Sequence, residues 1–288
     1  MLLTIHHACC TGGSIISQIL ASATNSILIS EINPFQSIRD KRIQPFFDPT
    51  AILWHLVYNS KEISNTHKLK YFFCQLDISI EHAKGLQKNL LLRDHTHSTF
   101  NFSDKDILFM NKKLGSQFLE TLRYFYELKS KDFDFNLIKP IISVRHPLDS
   151  FIAARKIGGL LPYCGGGEIN LENYCKGILK FQNYMEKEKS AKVIRYEDIC
   201  INISDCLKKT FLDLNIDYQI PSLDEINLIK VTGKSGRKTE NISLRERLIE
   251  DVDNELKNQI EVSKYYKEYC KLNKYNPKFQ DYPIMKST

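Results

Sequence analysis

The chain reads as an α/β protein built on a three-layer, doubly wound parallel sheet, and three observations predict it. Short apolar runs at residues 2–5, 26–29, 89–92, 138–144 and 192–194 have the continuous hydrophobicity of strands covered on both faces. Helical patterns at 48–58, 69–85, 115–128, 147–155, 171–186 and 199–212 lie between them, and such alternation of strand and helix builds a parallel sheet. The first run also feeds directly into Cys10-Thr11-Gly12-Gly13-Ser14, a strand-loop-helix turn of the nucleotide-binding P-loop kind. With 42% hydrophobic residues and no Pro/Ser-rich linker, residues 1–288 are expected to form a single domain with helical additions.

Two glycines and two hydroxyls in the first loop let successive backbone N–H groups converge on an anion. The helix expected over about residues 14–21 aims its positive end at the same point. An ordinary nucleoside triphosphate loop reads G-x-x-x-x-G-K-[ST]. Residues 8–15 have neither the leading glycine nor the lysine, so the loop suits a single terminal 5′-phosphate better than a triphosphate. The plain alternative is a tight Gly-Gly turn with no ligand.

In a doubly wound sheet, ligands sit beyond the carboxyl ends of the strands. After the 89–92 run comes Arg93-Asp94-His95-Thr96-His97. After Val144 comes Arg145-His146-Pro147-Leu148-Asp149-Ser150, with proline where a helix starts. The fifth run leads into Arg195-Tyr196-Glu197-Asp198. A basic glycine-containing stretch, Thr232 to Lys238, precedes a charged helix expected from about Leu244. Each cluster alone has an ordinary explanation as a salt bridge, a core aromatic or a solvated loop.

Charge and cysteines narrow the class. Forty Lys+Arg against 34 Asp+Glu leave a formal +6, which suits an anionic ligand but is too small and too dispersed to indicate nucleic acid. Eight cysteines show no C-x-x-C pair and no Cys/His zinc spacing, so reduced thiols in a cytoplasmic protein are expected. No signal-peptide pattern opens the chain and no apolar run reaches membrane-spanning length. Composition says nothing of oligomeric state.

The order of these clusters resembles the sulfotransferase family that uses 3′-phosphoadenosine 5′-phosphosulfate (PAPS) as cosubstrate. The resemblance runs over roughly residues 2–247 and is carried by motif order rather than by any one motif. It implies that Cys10, Thr11, Gly12, Gly13 and Ser14 hold the 5′-phosphosulfate. It implies that Arg145, opening an R-x-P-x-D helix start, binds the 3′-phosphate with Ser150 nearby, and that Tyr196 lies near the adenine. Ser235, Gly236, Arg237 and Lys238 resemble the family's closing loop on the 3′-phosphate.

Two positions depart from the family pattern. Cys10 stands where many members carry Lys or Arg, and Ala153 where many carry a serine, with Ser150 and Arg155 the nearest substitutes. Arg93, Arg237 or Lys238 are then the candidates for the missing charge. Cys10 reads as a small residue tolerated in the loop rather than as a nucleophile, although a helix N-terminus lowers thiol pKa.

Sulfuryl transfer shares the logic of phosphoryl transfer, in-line attack with much positioning and charge stabilisation. A base must take the acceptor's proton. Arg93-Asp94-His95 resembles the Lys-x-His of the cytosolic branch and makes His95 the expected base. His97 lies two residues on, and Glu31 is the competitor by likeness to the carbohydrate-acting branch. No metal is implied, because no GK[ST] with an acidic partner is present. The acceptor is expected to be a small molecule or carbohydrate bearing a hydroxyl or amine. Its walls are expected around residues 33–47, 98–111 and 157–168, the last a glycine-rich lid. Phe35, Phe46, Phe47, Phe100, Phe102 and Tyr163 are the aromatics available to stack on a ring, or else to pack. The rival readings are a non-catalytic nucleotide-binding relative and a metabolite kinase with an atypical loop.

Overall fold

Five strands pair in parallel: β1 (Leu2–His7), β2 (Ser26–Ile32), β3 (Asn89–Asp94), β4 (Ile138–Val144) and β5 (Lys192–Arg195), in the order β2-β3-β1-β4-β5. The computed structural model describes residues 2–32, 65–94, 96, 100, 102, 118–129, 134, 137–187, 191–229, 231, 242–244, 247–248, 252–278 and 285–286. The predicted α/β class holds.

Side chains alternate across each strand, and both faces are apolar, which is why these strands are continuous hydrophobic runs. Leu3, Ile5, Leu91, Ile141 and Ile194 face one layer. That layer is made by α1 (Gly13–Ala23), α6 (Tyr196–Ile201), α7 (Ile203–Leu214) and α8 (Leu223–Leu228). Leu2, Leu90, Leu92, Ile138, Ile142 and Val144 face the other. There the cover comes from α2 (Asn65–Gly85), α3 (Phe118–Lys129), α4 (Pro147–Lys156) and α5 (Leu171–Glu186), with α9 (Asn254–Val262) and α10 (Lys264–Leu272) added behind.

The order places the site. The chain leaves β1 in one direction, to β2, and leaves β4 in the other, to β5. The adjacent carboxyl ends of β1 and β4 therefore form the topological switch point, where a crevice opens in such sheets. The segments that follow those two strands carry the Cys10–Ser14 loop and Arg145.

Several boundaries differ from expectation. Strands β1, β2, β3 and β5 run past their apolar cores through His7, Ile32, Asp94 and Arg195. The helix expected over 199–212 is two helices, because Asn202 ends α6 and caps α7, its side chain accepting from the Asp205 N–H. The helix expected from about Leu244 is replaced by a two-residue strand, β6 (Arg247–Leu248), paired with β7 (Met285–Lys286), and by α9 and α10. Those two helices start where Asp253 and Ser263 cap them. The helix expected over 48–58 lies outside the described residues. No described helix is long and apolar enough to cross a membrane.

Candidate nucleotide site

The loop after β1 is a left-handed turn on either side of one threonine. Cys10 and Gly12 take φ of 62° and 84°, an arrangement that turns successive N–H groups to one concave side. Gly12 is the N-cap of α1 and offers no capping side chain, and the first turn carries no acidic residue, so the helix end keeps its positive character toward the loop. Hydrogen bonds fix this shape from below. Thr11 Oγ1 donates to the Ala8 carbonyl at 2.8 Å, and Ser143 Oγ of β4 donates to the Thr11 carbonyl at 2.6 Å. Ser14 is buried in the first turn of α1.

Both glycines are required by neighbours. A Cβ on Gly12 would lie 2.3 Å from Tyr196 Cδ2, and one on Gly13 would lie 2.3 Å from His7 Cγ. Each ring packs against glycine backbone, which pins the loop between β1 and the start of α6. Gly12 is therefore required by both its left-handed turn and its packing, and Gly13 by its packing.

Arg145 closes the loop from the β4 side. Its guanidinium donates to the Cys10 carbonyl at 3.2 Å and lies 4.7 Å over the Tyr196 ring, a cation–π contact. Its Nε is buried and has no hydrogen-bond partner among the described residues. A buried guanidinium N–H without an acceptor is costly unless an anion supplies one, so the residues present fit a phosphate here. Burial raises the Tyr196 hydroxyl well above its ordinary pKa, keeping it neutral.

Glu197, next in the chain, is structural. Its carboxylate accepts the His146 N–H at 2.9 Å and the Tyr275 hydroxyl at 2.7 Å. That holds the turn bearing Arg145 against the segment after α10. Arg195 extends the latch, paired with Asp198 at 2.6 Å and donating to the Asn273 and Lys274 carbonyls. Ser150 is fully buried, and its hydroxyl donates back to the His146 and Pro147 carbonyls of its own helix start.

A polar cluster at the ends of β1 and β3 escaped sequence reasoning. His6 Nδ1 donates to Asp94 Oδ2 at 3.0 Å, and Thr96 Oγ1 donates to the same oxygen. His6 Nε2 pairs with Thr4 Oγ1 at 2.9 Å, and all four groups are buried. On the other face, Arg93 Nε donates to His7 Nε2 at 2.9 Å, and its NH1 donates to Ser30 Oγ. Because Nε2 is the acceptor, His7 carries its proton on Nδ1 and donates to the Ala8 carbonyl at 3.0 Å. The buried Arg93 thus reaches the Cys10–Ser14 loop through His7, which lies on Gly13. The signal was available: His6 and Asp94 share one strand parity, His7 and Arg93 the other.

One of the expected bases, Glu31, belongs to this same edge of the sheet. Between Ile29 and Ile32 the pairing of β2 with β3 slips by one residue, so Ser30 and Glu31 stand opposite Arg93. That bulge places Glu31 at the carboxyl edge of β2. His95 and His97 lie outside the described residues, as do Ser235, Gly236, Arg237 and Lys238, and Phe35, Phe46 and Phe47.

The aromatics expected as acceptor walls are packing residues where they are described. Phe100 and Phe102 stack edge-on with Phe181 and Tyr163 in the core. The glycine-rich stretch after α4 is anchored at Tyr163, while Gly166, Gly167 and Glu168 are exposed. Tyr163 is 1% exposed, its hydroxyl accepts the Cys9 N–H at 2.7 Å, and its carbonyl lies against Gly177 of α5.

No family model matches the chain, and no curated protein matches it significantly. Sixteen chains of solved structures do. One is the sulfotransferase domain from the Synechococcus PCC 7002 olefin synthase, 13% identical over 96% of this chain and 94% of that one, with a TM-score of 0.47. Another is the sulfotransferase domain from the curacin biosynthetic pathway, 16% identical over 95% of this chain and 97% of that one, with a TM-score of 0.45. Both are sulfotransferase domains.

Proposed function

We propose that the protein is a PAPS-dependent sulfotransferase acting on a hydroxyl or amine of a small molecule or carbohydrate. The observation that carries the reading is Arg145. An arginine at the switch point, bound to the loop carbonyl of Cys10 and stacked on Tyr196, keeps one buried N–H without an acceptor among the described residues. A nucleotide with a second phosphate supplies that acceptor.

PAPS, when bound, supplies the sulfuryl group. The N–H groups of Thr11 to Ser14 and the opening turn of α1 hold the 5′ end, Arg145 the 3′-phosphate, and Tyr196 offers a ring face to the base. Ser150 supports Arg145 through the helix start it braces. Ser235, Gly236, Arg237 and Lys238 complete the grip on the 3′-phosphate. Arg93, working through His7, supplies the positive charge that Cys10 does not. His95 takes the acceptor's proton, with Glu31 and His97 as the alternative bases.

The test is calorimetric titration with adenosine 3′,5′-bisphosphate and with AMP, followed by a PAPS-consumption screen over pooled alcohols, amines and glycans. Tighter binding of the bisphosphate supports the reading, and equal affinity for the two nucleotides overturns it.

A further inference from the structure

Two thiols face each other at the mouth of this loop. Cys9 Sγ and Cys10 Sγ are 3.5 Å apart in consecutive residues, both half-buried and neither in a disulfide. Their backbone is clamped from two sides, with the Cys9 N–H on the Tyr163 hydroxyl and the Cys10 carbonyl on Arg145. Cys9 Sγ packs toward Gly159, where a Cβ would come within 3.1 Å of it. Cys10 holds a left-handed backbone that side-chain-bearing residues rarely adopt. The arrangement brings the sulfurs together while the peptide around them carries the shape of the anion loop.

We propose that Cys9 and Cys10 form a redox dithiol, in which hydrogen peroxide oxidises Cys10, Cys9 resolves the product to a Cys9–Cys10 disulfide, and the disulfide disables the anion loop. The Cys10 thiolate attacks one peroxide oxygen, the O–O bond breaks, and Cys10 becomes a sulfenic acid as hydroxide leaves. The Cys9 thiol then attacks the Cys10 sulfur, an S–S bond forms, the S–O bond breaks, and water departs. The pair gives up two electrons and two protons, and the peroxide ends as two waters.

Two features make Cys10 the thiol that attacks the peroxide. The Cys9 S–H donates to its sulfur, and the Arg145 guanidinium adds a favourable charge; together they outweigh the opposing effect of burial, and the Cys10 pKa falls below its ordinary value. Closing the sulfurs from 3.5 Å to a bond of about 2.05 Å must turn the Cys9–Cys10 peptide. The Cys10 carbonyl that holds Arg145 turns with it, and so do the amides that follow. The effect on nucleotide binding rests on the reading in the preceding subsection; the dithiol chemistry does not.

The reduced full chain is treated with one equivalent of hydrogen peroxide and mapped by differential alkylation. A Cys9–Cys10 link, two hydrogens lighter, should form about tenfold faster than oxidation of the exposed Cys74, as expected of a thiol in an electropositive turn. In Cys9→Ser the sulfenic acid should persist at Cys10 and be trapped by dimedone; in Cys10→Ser neither product should appear. Oxidation of Cys74 first, absence of the link, or no trapped sulfenate in Cys9→Ser overturns the dithiol. Adenosine 3′,5′-bisphosphate affinity should fall at least about tenfold on oxidation and return with dithiothreitol, as expected when charge-assisted contacts are lost. A link that leaves this affinity unchanged overturns the coupling to the loop. Failure of the reduced protein to bind the bisphosphate overturns the nucleotide reading alone, because the link is read from mass.

Discussion

The guanidinium of Arg145 lies 4.7 Å over the ring of Tyr196 while that ring packs against Gly12, so the β4 and β5 ends of the sheet meet on the loop that follows β1. One residue of each segment is thereby fixed by the other two. Substitution of Arg145 by Ala should remove the preference for adenosine 3′,5′-bisphosphate over AMP, a loss of roughly ten- to a hundredfold for a charge-assisted contact, and leave AMP affinity nearly unchanged. Calorimetry on the two nucleotides checks it. Arg145→Lys should restore little, since a point charge replaces the planar group that stacks on Tyr196 and reaches Cys10 at once.

Gly12→Ala should destabilise the fold by about 2–4 kcal/mol, combining a left-handed backbone with overlap against Tyr196. The overlap part should vanish in Gly12→Ala/Tyr196→Ala, so the double change costs less than the sum of the single ones. Denaturant midpoints with unchanged m-values provide the measurement. Additivity within a few tenths of a kcal/mol would mean that the ring and the loop are uncoupled.

The five strands were legible because parallel strands covered on both faces are rich in apolar residues, and Leu90–Leu92 of β3 shows it best. Their carboxyl ends were not. His6, His7, Arg93 and Asp94 continue the ladder, but they satisfy one another across β1 and β3, so no hydrophobic signal marks them. Position of the anion loop and of Arg145 could be read, since both follow apolar strands directly. The third contact, Tyr196 on Gly12, is a tertiary meeting of residues far apart in the chain. Nor was the role of Glu197 visible. A Tyr-Glu-Asp run does not say that its middle carboxylate holds the N–H of His146.

Glu197→Ala should cost about 2 kcal/mol by leaving the buried His146 N–H without an acceptor. Tyr275→Phe should cost less, because it removes only the second bond to the same carboxylate. If Glu197 acts by holding the Arg145 turn, Glu197→Ala should also weaken bisphosphate binding more than AMP binding, and Tyr275→Phe should not.

Alkylation of Cys10 by iodoacetamide should rise through a midpoint below that of an ordinary cysteine thiol, because a lowered pKa means more thiolate at a given pH. Cys9→Ala removes the first and largest cause, the donated S–H, and should raise the midpoint; Arg145→Ala should raise it by a smaller amount. The rate is followed by mass spectrometry between pH 5 and 9. A Cys10 midpoint at or above that of an unfolded cysteine-containing peptide would contradict the lowering by Cys9 and Arg145.

The base assignment turns on the edge where β2 bulges against β3. Ser30 and Glu31 share the place opposite Arg93, and one of them, Ser30, already accepts from the Arg93 guanidinium. Arg93 is committed through Nε to His7, whose two ring nitrogens are both engaged. His7 is thus held as a positioning group. That leaves the residues next along β2 and just beyond β3 as proton acceptors. His95→Ala should lower the turnover rate by about two to four orders of magnitude with nucleotide affinity intact, the range for loss of a positioned base, since imidazole accepts a proton near neutral pH. Glu31→Gln should leave turnover within a few fold. The reverse outcome hands the role to Glu31, and loss of activity only in His97→Ala hands it to His97. Turnover in all variants should survive EDTA, because the positive charge at the loop comes from Arg93, Arg145 and the start of α1.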